Sequence, residues 1–219
     1  RAAVPTATLA ELPEGVSFVA ASTLPVAGLT ALRALALGGL GLGRQVLVTG
    51  ASGGVGRFAV QLAKRAGAEV TAVVGSPQRG EGLAELGASE TIQDLEPEGD
   101  SFDVVLESVG GASLAAALSR VAPLGTVVSF GNSSGEAATF DPSSFYGRAS
   151  GARLHAFLIF SELETGPSGA RDLRTLAELV AEGSLDPQVS LEASWREPGG
   201  AIEALIDRQV AGKAVLSVD

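Results

Sequence analysis

Apolar residues along this chain fall into two alternating rhythms. The first is the short run without a polar break: Val46-Leu-Val48, Val70–Val74, Val104–Leu106, Thr126–Phe130 and the brief Thr91-Ile92. Continuous apolarity of this kind is how strands read when both faces of a parallel sheet are covered. The second rhythm is helical. Val55, Phe58, Ala59, Leu62, Ala63 and Ala66 recur at i, i+3, i+4 spacing and make one stripe. The pattern predicts strands over 45–49, 70–74, 91–92, 104–106 and 126–130, and helices over 54–66, 80–86 and 112–121. A helix is also predicted over 25–37, with Pro25 in its opening turn and Gly38-Gly39 beyond its end. A sixth strand is predicted over 154–160. Strands and helices alternating at this length imply right-handed βαβ units in a doubly wound α/β sheet.

At both ends the rhythm changes. Residues 1–22 are broken by Pro5 and Pro13. After residue 165 the pattern predicts a helix over 173–180, a strand over 189–193, a helix over 201–209 and a strand over 214–218. These last elements are not required to join the main sheet.

Composition narrows the chemistry. With 219 residues, 46% hydrophobic and 18% charged, the chain can bury a substantial core. A net charge of −10, with scattered basic residues and only Lys64 and Lys213 as lysines, argues against nucleic acid as a partner. No apolar run reaches the roughly 20 residues of a membrane span, and no signal-peptide pattern opens the chain. A cytoplasmic protein without membrane contact is the expectation. Cysteine is absent and His155 is the single histidine, so no zinc site is expected within the chain. The chain starts at Arg1 and holds no methionine, as expected of a processed product or of a piece of a longer protein.

The strongest chemical signal is Val46-Leu-Val-Thr-Gly50-Ala-Ser-Gly-Gly-Val-Gly56. It reads strand, glycine turn, helix. Glycines there let the backbone turn tightly and approach a pyrophosphate, while Gly56 allows close helix–strand packing. The free N–H groups and dipole of the helix start then face the phosphates. A glycine fingerprint alone is weak, but the apolar strand before it and the striped helix after it supply the required context. The fold expected is therefore of Rossmann type, with Gly50, Ala51, Ser52, Gly53, Gly54, Val55 and Gly56 binding a dinucleotide. Dinucleotide units selective for NAD place an acid at the end of the second strand to hold the ribose 2′-hydroxyl. Between Val70 and Arg79 there is none; Gly75, Ser76 and Arg79 stand there instead. A charge-assisted bond to a 2′-phosphate contributes about 1.5–3 kcal/mol, roughly a ten- to hundredfold preference. NADPH is thus favoured over NADH.

Two families share such a loop. Short-chain dehydrogenases need a Tyr with a Lys four residues on, for proton transfer. Here the only tyrosine is Tyr146, position 150 is serine, and 44 residues precede the first strand, so that reading fails. The chain resembles the medium-chain dehydrogenase/reductase superfamily instead, in its zinc-free quinone oxidoreductase branch. The resemblance runs through Leu24-Pro-Val-Ala-Gly-Leu-Thr-Ala31, the loop 46–56, Glu85-Leu-Gly-Ala88 and Val104-Val-Leu-Glu-Ser-Val-Gly-Gly111. It continues through Gly125-Thr-Val-Val-Ser-Phe-Gly131 and closes on Gly212-Lys-Ala-Val-Leu216.

The resemblance implies that Thr30, Ser108, Val109, Gly110, Phe130 and Gly131 line the nicotinamide pocket, and that Ser76 and Arg79 contact the 2′-phosphate. A zinc-ligand cysteine of the zinc-dependent relatives corresponds to Val26. Asp94 stands where the branch often has a tyrosine near the adenosine, and an acid there weakens the 2′-phosphate preference. The resemblance also implies a GroES-like catalytic domain of which this chain holds only remnants at both ends, 1–22 and 188–219, around a Rossmann domain at 23–187. Pairing of the strand 154–160 across a two-fold axis, as in relatives, implies a homodimer.

The activity implied is hydride transfer from NADPH to a quinone or an activated C=C or C=O bond of a small-molecule substrate. No general acid is identified, and the separate chain is expected to turn over poorly. The rival expectation is a non-catalytic nucleotide-binding sensor or scaffold module. His155 reads as a structural edge residue, Trp195 as a core residue, and the acidic stretch 94–100 as a solvated loop and not a calcium site.

Overall fold

The computed structural model describes residues 3–218, apart from the side chains of residues 144 and 145. A short helix α1 (Phe18–Ser22) leads through one π turn (Leu24–Gly28) into α2 (Leu29–Leu37). Then follow β1 (Gln45–Val48), α3 (Gly54–Arg65), β2 (Glu69–Val73), β3 (Glu90–Ile92), β4 (Phe102–Glu107), α4 (Gly111–Arg120) and β5 (Val121–Ser129). The chain continues through α5 (Ser143–Arg148), β6 (Arg153–Ala156), α6 (Ile159–Thr165) and α7 (Ala170–Ala181). It closes with β7 (Val189–Ser194), α8 (Gly199–Ile206) and β8 (Lys213–Ser217). None of the described helices is long and apolar enough to cross a membrane.

Strands β1 to β6 form one parallel sheet in the order β3-β2-β1-β4-β5-β6. The apolar runs explain themselves in this setting. Val46, Val48, Val104, Leu106 and Val128 point into one core with Leu35 of α2, Phe58 of α3 and Leu176 of α7. Their neighbours Leu47, Val105 and Val127 point into a second core with Ala117 and Leu118 of α4. The runs 46–48, 104–106 and 127–128 are therefore buried at every position, on one side or the other, as a continuous apolar run requires. Burying each such side chain contributes about 1.5–3 kcal/mol.

Crossovers of one hand running in opposite directions from the middle put α3 and α4 on opposite faces. The direction reverses between β1 and β4, which opens a crevice beyond their carboxyl ends. Strands β7 and β8 pair in parallel as a separate two-stranded sheet, outside the main one as anticipated.

Two predicted elements are corrected. Residues 80–86 do not form a helix: Pro77–Gly80 is a 3₁₀ turn, and Gly82 sits at φ 78°, outside helical space. Leu83 is nevertheless fully buried, so the apolar spacing there served packing and not a helix. The strand predicted over 154–160 ends at Ala156, and Ile159 opens α6 instead. His155 lies on β6, the edge strand, opposite Val128. Trp195, expected in the core, is 63% exposed, since it falls in the turn just past the end of β7.

Candidate functional site

A cleft of about 780 Å³ lies at the carboxyl edge of the sheet, within the usual range for ligand pockets. Its floor is the turn after β1. Gly50 adopts φ 59°, and the Gly53 N–H closes the turn on the Gly50 carbonyl at 2.9 Å. Gly56 is the tightest position: a Cβ there would lie 2.5 Å from the Gly50 oxygen and 2.6 Å from Ala51 Cα. Only glycine lets α3 start this close to the turn. Gly53 precedes α3 without any side-chain cap, so the N–H groups of the first turn are left to the cleft.

One wall comes from the loop after β4, folded around a carboxylate. Glu107 is fully buried. Its Oε1 accepts from Val109 N (3.0 Å), Gly110 N (3.1 Å), Ser113 Oγ (3.0 Å) and Thr49 Oγ1 (3.2 Å), and Oε2 also accepts from Gly110 N (3.1 Å). Thr49 Oγ1 in turn accepts from Ser108 N at 3.0 Å, and Ser108 Oγ donates to the Thr49 carbonyl. This network ties the loop 108–110 to the turn after β1. Gly110 and Gly111, at φ 79° and 51°, allow the backbone to wrap the carboxylate.

Cations gather behind the other wall. Arg79 Nε donates to Ser52 Oγ at 3.0 Å, and its NH1 reaches the Arg208 carbonyl. Buried Arg57 donates to the Ser52 carbonyl (3.3 Å), the Glu81 carbonyl (2.8 Å) and Gln188 Oε1 (2.7 Å). Lys213, at the head of β8, donates from Nζ to the Gly54 carbonyl at 2.7 Å and sits 3.6 Å over the Phe58 ring centroid. Burial pushes the Lys213 ammonium down to about 7; Arg57 acts the same way and Asp186 opposes it. Burial likewise lowers Arg57, reinforced by Arg79 and opposed by Asp186. Among the described residues, the ion pairs are Arg33–Asp172 and Arg44–Asp103, and neither involves these three cations.

Of the residues singled out from sequence, Gly50, Ser52, Gly53, Gly54, Val55, Gly56, Gly75, Arg79, Ser108, Val109 and Phe130 line the cleft together, and so does Asp94. The others lie elsewhere. Ala51 is buried beneath the turn, its N–H on the Val73 carbonyl. Ser76 lies one residue beyond Gly75, at the start of the 3₁₀ turn. Gly110 is turned to Glu107, Gly131 packs against the Ser108 backbone, where a Cβ would lie 2.9 Å from the carbonyl oxygen, and Thr30 is buried in α2.

Sequence reasoning missed four participants: Glu107, Arg57, Lys213 and Arg208. Arg208, from the segment after α8, lines the cleft with φ 58° and donates to the Ser133 carbonyl at 3.3 Å. Glu107 offered a signal, an acid directly after an apolar strand and before two glycines. The other three are brought in by chain folding alone.

Residues 54–158 match the zinc-binding dehydrogenase family. Over 223 aligned residues the chain is 33% identical to the spectinabilin polyketide synthase system protein NorB of Streptomyces orinoci, covering 96% of the chain and 10% of that protein. It is 50% identical over 93 residues to a chloroplast envelope quinone oxidoreductase homolog of Arabidopsis thaliana, covering 40% of the chain and 28% of the relative. The Escherichia coli quinone oxidoreductase in complex with NADPH superposes with a TM-score of 0.83 at 27% identity, over 94% of this chain and 67% of that one. The CurK enoyl reductase superposes at 0.78 and 26%, over 94% and 64%. The chain thus spans about a tenth of one of these curated relatives and about a quarter of the other.

Proposed function

Since the chain belongs to the medium-chain dehydrogenase/reductase superfamily, on the side of the quinone oxidoreductases, we propose that it is the cofactor-binding part of an NADPH-dependent reductase. The observation that carries this reading is the cleft itself. A glycine turn, an uncapped helix start and Arg79 converge beyond the carboxyl ends of β1 and β4, with no acid at the end of β2.

The residues present fit such a dinucleotide. The first turn of α3 and Ser52 would hold the pyrophosphate, and Arg79 with Ser76 the 2′-phosphate. Ser108, Val109 and Phe130, with Gly110 and Gly131 behind them and Thr30 from α2, would border the nicotinamide. When bound, NADPH supplies a hydride. The chain's own part is to hold, orient and shield. The Glu107 network fixes the loop 108–110 against the turn after β1, so that the two halves of the site keep one spacing.

For the substrate, an α,β-unsaturated acyl thioester is the favoured class. The match to a polyketide synthase protein runs along 96% of the chain, against 40% for the quinone oxidoreductase homolog, and an enoyl reductase is among the structural neighbours. NADPH held by Ser52, Arg79 and the first turn of α3 would supply the hydride for reducing such a C=C bond, with the matching proton drawn from water. A zinc-independent reaction is part of the proposal, because Val26 stands where the resemblance places a zinc-ligand cysteine in zinc-dependent relatives. Residues 1–22 and 188–219 belong in this proposal to a GroES-like domain around the Rossmann unit 23–187, a division consistent with the separate β7–β8 sheet. A homodimer through the open edge of β6, where Leu154 is 47% exposed, and a cytoplasmic setting complete it.

Calorimetric titration with NADPH and NADH tests the cofactor. Tight NADPH with NADH at least tenfold weaker is expected, and binding of neither rejects the reading. The parent protein, given NADPH and a crotonyl thioester, is expected to yield the butyryl thioester. Reduction of a p-quinone but not of the thioester would make it a quinone reductase. Sedimentation as a monomer at micromolar concentration would reject the dimer.

A further inference from the structure

Behind the phosphate turn lie two buried cations, Arg57 and Lys213, that the proposed contacts leave without an account. With the half-buried Arg79 they come from three separate segments and grip Ser52 and Gly54 of one loop. Arg57 holds the Ser52 carbonyl, Arg79 the Ser52 hydroxyl, and Lys213 the Gly54 carbonyl. The Gly212 N–H adds a fourth bond, to the Ser52 carbonyl at 3.1 Å. Gly212 can do so because it takes φ 98° and carries no side chain; a Cβ there would lie 2.3 Å from the Gln188 carbonyl oxygen. In a chain of net charge −10, none of these cations is ion-paired among the described residues. Buried charge without a partner is costly, and is tolerated where a ligand brings the opposite charge.

Resting on the NADPH reading above, we infer that Lys213 is a positioning residue of the dinucleotide site: its ammonium, seated on Phe58, holds the Gly54 carbonyl and so fixes the first turn of α3, and bound phosphate stabilises that charged form. An anion held in the cleft would lie across the glycine backbone from Lys213, since Gly53 and Gly54 themselves line the cleft. Nearby charges act in known directions. Arg57 on α3 disfavours the ammonium, and Asp186, in the turn ahead of β7, favours it. The Phe58 face favours it as well. With its pKa lowered to about 7 by burial, Lys213 is partly deprotonated in the free protein at neutral pH. Phosphate brought to the other side of residues 53–54 raises it. Binding then takes up a proton, and affinity falls as pH rises above neutrality.

Lys213 and Lys64 are the only lysines in the chain, which makes the test direct. The wild-type protein, labelled with lysine carrying ¹³C at Cε, is titrated with base by NMR, free and saturated with NADPH. Lys64, exposed on α3, is the internal reference. The expected result is a Lys213 midpoint near 7 in the free protein that rises by more than one pH unit with NADPH, while the Lys64 signal stays put. Lys213→Met is expected to weaken NADPH about tenfold at pH 6.5 and to remove the pH dependence of binding; Lys213→Arg is expected to restore tight binding without pH dependence. If wild-type protein binds NADPH and the Lys213 midpoint does not move, the inference is overturned and the cofactor reading stands. If wild-type protein binds no NADPH, the cofactor reading falls and this inference falls with it.

Discussion

The two ends of the main sheet make opposite electrostatic surfaces from the same strands. At the carboxyl edge lies the 780 Å³ cleft, built on glycines, free helix N–H groups, Arg79 and Arg208. At the amino edge, a groove of about 540 Å³ is lined by Glu69, Glu90, Glu98 and Asp100, with Arg120 beside them. Arg120 does not neutralise these acids. Its guanidinium is spent on the carbonyls of Glu96, Glu98 and Asp100, shaping the loop ahead of β4, and it stacks 5.2 Å from the Phe102 ring. Parallel strands force every following helix to begin at the carboxyl edge, so the positive helix ends collect on one side of the molecule. The chain's acidity can then be carried elsewhere without repelling a bound dinucleotide. The loop 94–96 is where the two surfaces meet, and Asp94 and Glu96 line both.

The sharpest way to break this contrast is at Gly56. In Gly56→Val the new side chain has no room between the turn and α3, and overpacking of this kind costs about 1–3 kcal/mol. NADPH binding is expected to fall more than a hundredfold by calorimetry; affinity within threefold of wild type would mean that the turn does not hold the phosphates.

Next in size is a pH effect on folding that belongs to the carboxyl edge alone. The Lys213 pKa is lowered in the folded state, to about 7 from 10.5, so the unfolded chain binds more protons between those values. Stability is therefore expected to rise with pH across that window, by a few kcal/mol on the order of 1.4 per pKa unit. It levels off below about 7 and above about 10.5. Urea melts of wild type and Lys213→Met check it, the variant losing the slope. A wild-type curve that falls from pH 7 to 9 with the same slope in the variant would remove Lys213 as its source.

Arg79→Ala is expected to weaken NADPH by about ten- to hundredfold and NADH by less than threefold, from the loss of one charge-assisted contact. Equal losses for both cofactors would assign Arg79 to loop structure through Ser52, and not to the 2′-phosphate. Smaller still is Asp94→Asn at the seam. Removing one exposed acid is expected to tighten NADPH about twofold, through roughly 0.5 kcal/mol, with NADH unchanged. Glu69→Gln with Glu90→Gln, confined to the acidic groove, is expected to leave both affinities within error. A tenfold gain in NADPH binding from that pair would show that the two edges are not electrostatically separate.

Much of this was legible in the chain itself. The strand and helix periods, the glycine turn after β1 and the missing acid after β2 are local properties, and local sequence chemistry suffices for them. The doubly wound parallel arrangement also followed, because crossover handedness leaves few ways to connect such units. The failures were local as well. Residues 80–86 carry helical apolar spacing, but Gly82 at φ 78° breaks the helix while Leu83 still fills the core. The run 154–160 is apolar throughout, and only the turn into α6 at Ile159 cuts its strand short.

What tertiary structure decided is which distant residues serve the loop. Arg57 and Lys64 lie on the same helix, and nothing in the sequence tells the buried guanidinium from the exposed ammonium. Lys213 reads as the start of a terminal strand until folding carries β8 across 159 residues of chain to the Gly54 carbonyl. Glu107 looks like the polar end of β4 until the loop 108–110 closes over it. Sequence fixes periodicity because it acts between near neighbours. Charge burial and pKa depend on what surrounds a group in space, and that exists only once the chain has folded.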